Sequence, residues 1–240
     1  MILLLAQLPN IIRSIYNGPM PKRMRFLHPE AAISLLRMEK DLGGLIYSDM
    51  YRSAESSLEA MQRKAGVQPP AYSGHNYGFS VDVAVDQIMN EKGWDYERLL
   101  DEMIAHGWFC HRRDHERGME DWHFNCLGPR SHGFASIGNH PADYPYLFEI
   151  DDGRKWGAPV EKLIQDAYGD SFSLDSVELQ ISLSELGLYK GDIDGIIGPI
   201  TMSALHAFQR AWELPETSPN YRTQRTLAFV SATIQITPVV

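Results

Sequence analysis

The chain has 240 residues, 44% of them hydrophobic, enough for one large domain or two smaller ones with a real core. Its 22 basic and 31 acidic side chains give a net charge of −9, which argues against non-specific nucleic-acid binding, a function that needs a basic face. Two cysteines, Cys110 and Cys126, are too few for a disulfide-stapled scaffold, and no Cys-x-x-Cys pair points to a structural zinc knuckle.

The opening Met1-Ile2-Leu3-Leu4-Leu5-Ala6 is a short apolar run with no basic residue before it, and it soon meets Gln7 and Pro9, so no signal peptide is expected. No stretch reaches the roughly 20 apolar residues that span a bilayer. Residues 1–40 read as largely helical, most clearly from Pro29 to Glu39, where apolar residues fall at helical spacing behind a proline suited to the first turn. Gly43-Gly44 ends that helix. Leu45 to Tyr51 then reads as a strand delivering Arg52 to its end, and Ser53 to Lys64 returns to helix. Pro69-Pro70 breaks the chain.

Next comes the stretch that organises the rest, Ser73-Gly74-His75-Asn76-Tyr77-Gly78-Phe79-Ser80-Val81-Asp82, completed by Glu120-Asp121-Trp122-His123. Two His and one carboxylate can hold Zn²⁺ while leaving a fourth position for water, the catalytic rather than the structural arrangement. Seven residues of helix rise about 10 Å and of strand more than about 20 Å, so the chain must fold back between His75 and Asp82; Gly74 and Gly78 permit the turn. Ser80 to Val85 alternates as a strand, with Val81, Val83 and Val85 on a buried face and Asp82 opposite. In Asp121-Trp122-His123-Phe124-Asn125 the aromatics face one way, and His123 faces the other with Asp121 and Asn125. Glu120 would face away if the strand ran through it, and a bend near Gly118 would turn it towards the metal.

Tyr96 to His106 reads as a helix burying Leu99, Leu100, Met103 and Ile104, stopped by Gly107, with a short strand beginning at Trp108-Phe109. His111 and His115 are four apart in a polar loop; a second zinc pair there is disfavoured, because this is not His-Glu-x-x-His, and a solvated loop at the mouth of the site is expected. Residues 141–173 carry three basic and seven acidic side chains with prolines at 141, 145 and 159, a linker with one short helix around Val160 to Tyr168. A compact helical segment follows. Val177 to Gln180 leads a helix with Leu183 and Leu186 inside and Gly187 at its end, and Thr201 is expected to cap a second helix through Ala204, Leu205, Phe208 and Gln209. Asp192-x-Asp194-Gly195 lacks the closing Glu of a calcium loop.

Two resemblances attach to these residues. Ser-x-His-x-x-Gly-x-x-x-Asp followed by Glu-x-Trp-His resembles the zinc D-Ala-D-Ala carboxypeptidase and L-Ala-D-Glu endopeptidase family of peptidoglycan hydrolases, which includes vancomycin-resistance peptidases of the VanY type and phage lysins. The resemblance covers roughly residues 45–126 and includes Tyr51-Arg52-Ser53. It implies that His75, Asp82 and His123 are zinc ligands, Glu120 the catalytic base and Arg52 the oxyanion stabiliser; Ser73, Asp121 and Trp122 are candidate second-shell or substrate contacts. Ser80 stands where many members carry Ala. Leu179 to Leu227 resembles the small helical peptidoglycan-binding domain attached to many wall hydrolases, through Leu-Gln, Leu-Gly-x-Tyr-x-Gly-x-Ile-Asp-Gly-x-x-Gly, Thr, Ala-Leu and Phe-Gln, with Pro215 to Pro219 replacing a glycine-containing turn.

The implied fold is α+β: a small antiparallel sheet with flanking helices, like that of D,D-peptidases and hedgehog proteins, over residues 1–140, then the 141–173 linker and a three-helix wall-binding domain over 174–240. The implied function is a zinc peptidase acting on peptidoglycan as a monomer, with no nucleic-acid partner and no transmembrane segment. Taken singly, each site residue has a plainer reading, a packed histidine, a turn cap or a surface acid. Jointly, two His, a strand Asp, an acid and an upstream Arg at family spacings point to the enzyme. The His-Asn-Tyr-Gly wording and the lack of an export signal favour a lysin-type L-Ala-D-Glu endopeptidase, released from a host cytoplasm to the wall. A D,D-carboxypeptidase and a catalytically dead wall-binding module are the alternatives.

Overall fold

A computed structural model describes residues 1–64, 67–110, 120–126, 164–165 and 167–238. The described residues fall into two compact units, one made of Met1–Leu3, Ser53–Ser73 and Gln165–Ile234 and the other of the remainder.

The unit that carries the ligand candidates is built on a six-stranded sheet in the order β3-β2-β5-β6-β8-β7. Its strands are β2 (Arg13–Ser14), β3 (Gly18–Pro19), β5 (Ile46–Asp49), β6 (Ser80–Val83), β7 (Trp108–Cys110) and β8 (His123–Cys126). The sheet is mixed rather than wholly antiparallel, because β2 runs parallel to β5. A second sheet, ordered β4-β1-β9, joins β1 (Ile2–Gln7), β4 (Phe26–Leu27) and β9 (Thr233–Thr237). The first 28 residues are thus strands, turns and a short 3-10 segment, not helix. Ile2 to Ala6 is an apolar run with no helical period, and Pro9, Gly18, Pro19 and Pro21 interrupt the stretch before a helix could propagate.

Helix α1 (Pro29–Leu42) begins where the periodicity places it, with Pro29 in its first turn, and ends at Gly43 in the left-handed region (φ +70°). It buries Ala31, Leu35 and Met38. Strand β6 stops at Val83, two residues earlier than the alternation from Ser80 to Val85 suggests, and Val85 opens α3 (Val85–Lys92). Val81 and Val83 are nonetheless buried, as the pattern requires. Helix α4 (Tyr96–Ala105), capped by the Asp95 carboxylate on the Arg98 N–H, buries Leu99, Leu100 and Met103, while Ile104 is half-buried.

The other unit contains α2 (Ala54–Arg63), capped by the Ser53 hydroxyl, and three helices, α5 (Ser176–Glu185), α6 (Pro199–Ala211) and α7 (Tyr221–Val230). Leu179, Leu183, Leu205, Phe208 and Leu227 form its core, with Trp212 against the edge. Two buried glutamines staple its loops. The two N–H groups of Gln180 are shared among Asp194 Oδ1, Ile196 O, Tyr189 Oη and Thr201 Oγ1, and its Oε1 accepts from Gly195 N at 2.8 Å. Gln209 holds Thr217 through both backbone groups and reaches Thr223 Oγ1 at 3.0 Å. Thr201 is not the cap of α6; Gly198 is, Pro199 takes the first turn, and the Thr201 hydroxyl donates to Ile196 O instead. Within the same unit Arg225, 1% exposed, donates to Ala71 O at 2.8 Å and lies over the rings of Tyr72 and Phe172. No described helix is long and apolar enough to cross a membrane.

Candidate metal centre

Strand β6 is the middle of the site because it pairs antiparallel with β5 on one side and β8 on the other. A register shift between Tyr47 and Asp49 sets Asp49 opposite Asp82, and Asp82 is in turn opposite His123, so three functional side chains form one row across three strands. His75 arrives from the 3-10 turn Gly74–Tyr77, the fold-back that the His75-to-Asp82 spacing demands. Gly78 closes that turn at φ +73°, and a Cβ there would come within 2.7 Å of Leu27 C and run into His28 N.

The three ligand candidates converge. His75 Nε2 lies 3.1 Å from Asp82 Oδ1 and 3.1 Å from His123 Nδ1, and His123 Nδ1 lies 2.8 Å from Asp82 Oδ1. Ligand atoms at about 2.0–2.1 Å around one tetrahedral ion stand about 3.3 Å apart, so each edge needs to open by no more than about half an ångström to admit it. The donor set is one that can hold a cation. His75 Nδ1 faces the Met50 carbonyl at 2.5 Å, which can only accept, so its proton is there and Nε2 presents a lone pair. His123 Nε2 faces Asn125 Oδ1 at 3.1 Å, which likewise puts the lone pair on Nδ1. Two nitrogen lone pairs and a carboxylate oxygen therefore point at one spot, an arrangement that neutral rings cannot satisfy among themselves.

Burial differs across the set: His75 keeps 2% of its side-chain exposure, Asp82 13% and His123 17%, so the centre is anchored from within and open on one side. With no cation present, burial disfavours charge on His75, but the Asp82 carboxylate outweighs it and the pKa is raised. For Asp82 burial acts to raise the pKa and the two histidines outweigh that, holding the carboxyl well below its usual range. His75, Asp82 and His123 are the three side chains that the sequence singled out as ligands.

Arg52 is locked to the same turn. Its N–H donates to His75 O at 3.1 Å, and the Asn76 amide donates to its carbonyl at 2.8 Å. Its guanidinium is gripped by Asp49 through Nε at 3.1 Å and a shorter bond from Nη2. Glu120 is exposed and takes φ +61°, in a turn that leads into β8 and is tied by His123 N to Glu120 O at 3.0 Å. Tyr96 supports that turn by donating to Asp121 O at 3.0 Å. Asp121 is buried and Trp122 half-buried; with Ser48, Val83 and Asp86 they line a groove of about 620 Å³. Ser73 is buried, one residue before the turn, and falls in the other compact unit. His111, His115 and Gly118 lie outside the described residues, as does most of the 141–173 linker. Asp49 and the Met50 carbonyl went unnoticed in the sequence, and Asn76 entered only through the His-Asn-Tyr-Gly wording; the trace of Asp49 is an acid three residues before Arg52.

Residues 173–218 match the family model of a peptidoglycan binding domain. No curated protein matches the chain. Among solved structures the chain is similar to the LdcB LD-carboxypeptidase, whose structure is described as revealing the molecular basis of peptidoglycan recognition, at 16% identity and a TM-score of 0.40 over 55% of this chain and 72% of that one. A likeness of that size fixes neither fold nor activity.

Proposed function

We propose that the chain is a zinc-dependent peptidase of peptidoglycan, cutting the stem peptide between L-Ala and D-Glu and held to its insoluble substrate by the segment that includes residues 173–218. The observation that carries this reading is the convergence of His75 Nε2, Asp82 Oδ1 and His123 Nδ1 within 3.1 Å of one another, each presenting a lone pair. Three protein ligands with one side open match a catalytic zinc rather than a structural one. When bound, the metal supplies Lewis acidity and brings the pKa of water down to about 7.

The chain's own residues do the rest. The Glu120 carboxylate accepts a proton from the attacking water and passes it to the leaving amine, which suits an exposed acid held at a fixed turn three residues from His123. Arg52 offers positive charge to the oxyanion, its backbone fixed to His75 and its side chain aimed by Asp49. Wall binding by the other segment raises the local concentration of scissile bonds without adding contacts at the metal.

Peptidoglycan digested by the full chain and analysed by mass spectrometry is expected to show new amino-terminal D-Glu, abolished by chelator and restored by zinc at about one ion per chain. Loss of terminal D-Ala instead would move the assignment to a D,D-carboxypeptidase, and wall binding with no product at all would leave a binding module. Glu120→Ala is expected to lose at least about 100-fold in turnover with zinc stoichiometry intact; retained activity would remove Glu120 as the base.

A further inference from the structure

We infer that Asn125, itself oriented by Ser80, is a positioning residue that sets the tautomer of His123 and so decides which of its ring nitrogens faces the metal. The inference rests on the zinc reading of the triad and concerns how one ligand is held.

The cross-strand register puts it there. Asp82 and His123 are directly opposed on β6 and β8, and the next pair on the same face of these strands is Ser80 and Asn125. Ser80 is fully buried and Asn125 is 5% exposed. The Ser80 hydroxyl donates to Asn125 Oδ1 at 2.5 Å, and that same oxygen faces His123 Nε2 at 3.1 Å. A neutral imidazole has one N–H. With that N–H on Asn125, the lone pair is on Nδ1, among Asp82 Oδ1 and His75 Nε2. A reversed amide would donate to Nε2, move the ring proton to Nδ1 and aim an N–H at the place the cation must occupy.

The two histidines differ in how this is secured. His75 gives its proton to the Met50 backbone carbonyl, which has no donor form. His123 relies on a side chain that does. The Ser80 hydroxyl supplies a second donor to Oδ1, and an alanine at this position would leave that oxygen to His123 alone. Partners of metal-bound histidines that are removed by mutation typically lower metal affinity about 10–100-fold.

The test is zinc affinity of the metal-stripped full chain, titrated against a competing chelating dye. Asn125→Leu is expected to weaken zinc binding about 10–100-fold. Asn125→Asp, which keeps the acceptor and loses the donor, is expected to return it to within a few-fold of wild type, with Ser80→Ala between the two. Long-range ¹H–¹⁵N correlation spectra of the zinc-loaded wild type are expected to show His123 protonated at Nε2. A wild type that binds zinc while Asn125→Leu binds it equally well, or a spectrum with His123 protonated at Nδ1, overturns the inference and spares the zinc reading. A wild type that binds no zinc removes both. If Asn125→Leu does not fold, the wild-type spectrum decides alone.

Discussion

His28 packs next to the ligand-bearing turn, its ring stacked on Phe79 with 4.6 Å between centroids and its Nδ1 buried without a hydrogen-bond partner among the described residues. Burial pushes its pKa down to about 4. Between that value and about 6.5 the unfolded chain binds a proton that the folded chain refuses, so stability is complete above about 6.5 and falls as the pH drops towards 4, by up to about 3 kcal/mol. Chemical denaturation in chelator should therefore show His28→Leu losing less stability than wild type as the pH falls from about 6.5 to about 4; an equal loss would place the acid sensitivity elsewhere. Arg52 supplies the second residue-level prediction. Asp49→Asn weakens the grip on the guanidinium and is expected to lower kcat/KM about tenfold while the zinc affinity stays put, separating aim from ligation. The three converging side chains were legible because the Ser-x-His-x-x-Gly-x-x-x-Asp and Glu-x-Trp-His pieces resemble a known family's motif, which implies them as ligands. Asp49, Asn76 and Ser80 were not, since a short polar residue beside a strand is far more often solvated or capping, and Met50 acts through a carbonyl that every residue possesses.

At the scale of elements, the turn Gly74–Tyr77 and the glycine that ends it decide whether the triad can assemble. Gly78→Ala would force a Cβ into the Leu27–His28 backbone, and is expected to cost at least about 2 kcal/mol in a thermal or urea melt and to weaken zinc binding with it. A variant as stable as wild type would mean that the turn can relax. Helices with a clear period and an end signal were readable in advance: α1 from Pro29 to Gly43, α4 behind Asp95, and α5 stopped by Gly187. The amino-terminal strands were not, because β1 is a six-residue strand without alternation whose Ala6 and Gln7 pair with Leu27 and Phe26 about twenty residues on, and pairing at that distance leaves no local trace. The Leu-Gln and Phe-Gln pairs were visible as a motif, yet their physical meaning appears only in the fold, where Gln180 and Gln209 each satisfy the backbone of a loop that follows their helix.

For the molecule as a whole, the 53–73 segment belongs by its contacts with the three-helix unit, where Arg225 and Thr226 bond to the carbonyls of Ala71 and Pro70 and Gln62 reaches Glu213. A chain ended before residue 164 is expected to expose this segment, so that limited proteolysis cuts within 53–73 far faster than in the full chain; equal protection would show that it needs none of those contacts. The sequence pointed to a contiguous carboxy-terminal domain, because motif matching follows the chain and cannot see a segment contributed from more than a hundred positions upstream. Arg52 and His75 thus bracket an excursion that leaves one unit and comes back. A genetic exchange with a single crossover near residue 164 would carry away three helices and abandon the 53–73 piece, so recombination that moves both together needs three crossovers, two flanking 53–73 and one before 165, and lineages bearing this arrangement are expected to inherit the two units together rather than trade them separately.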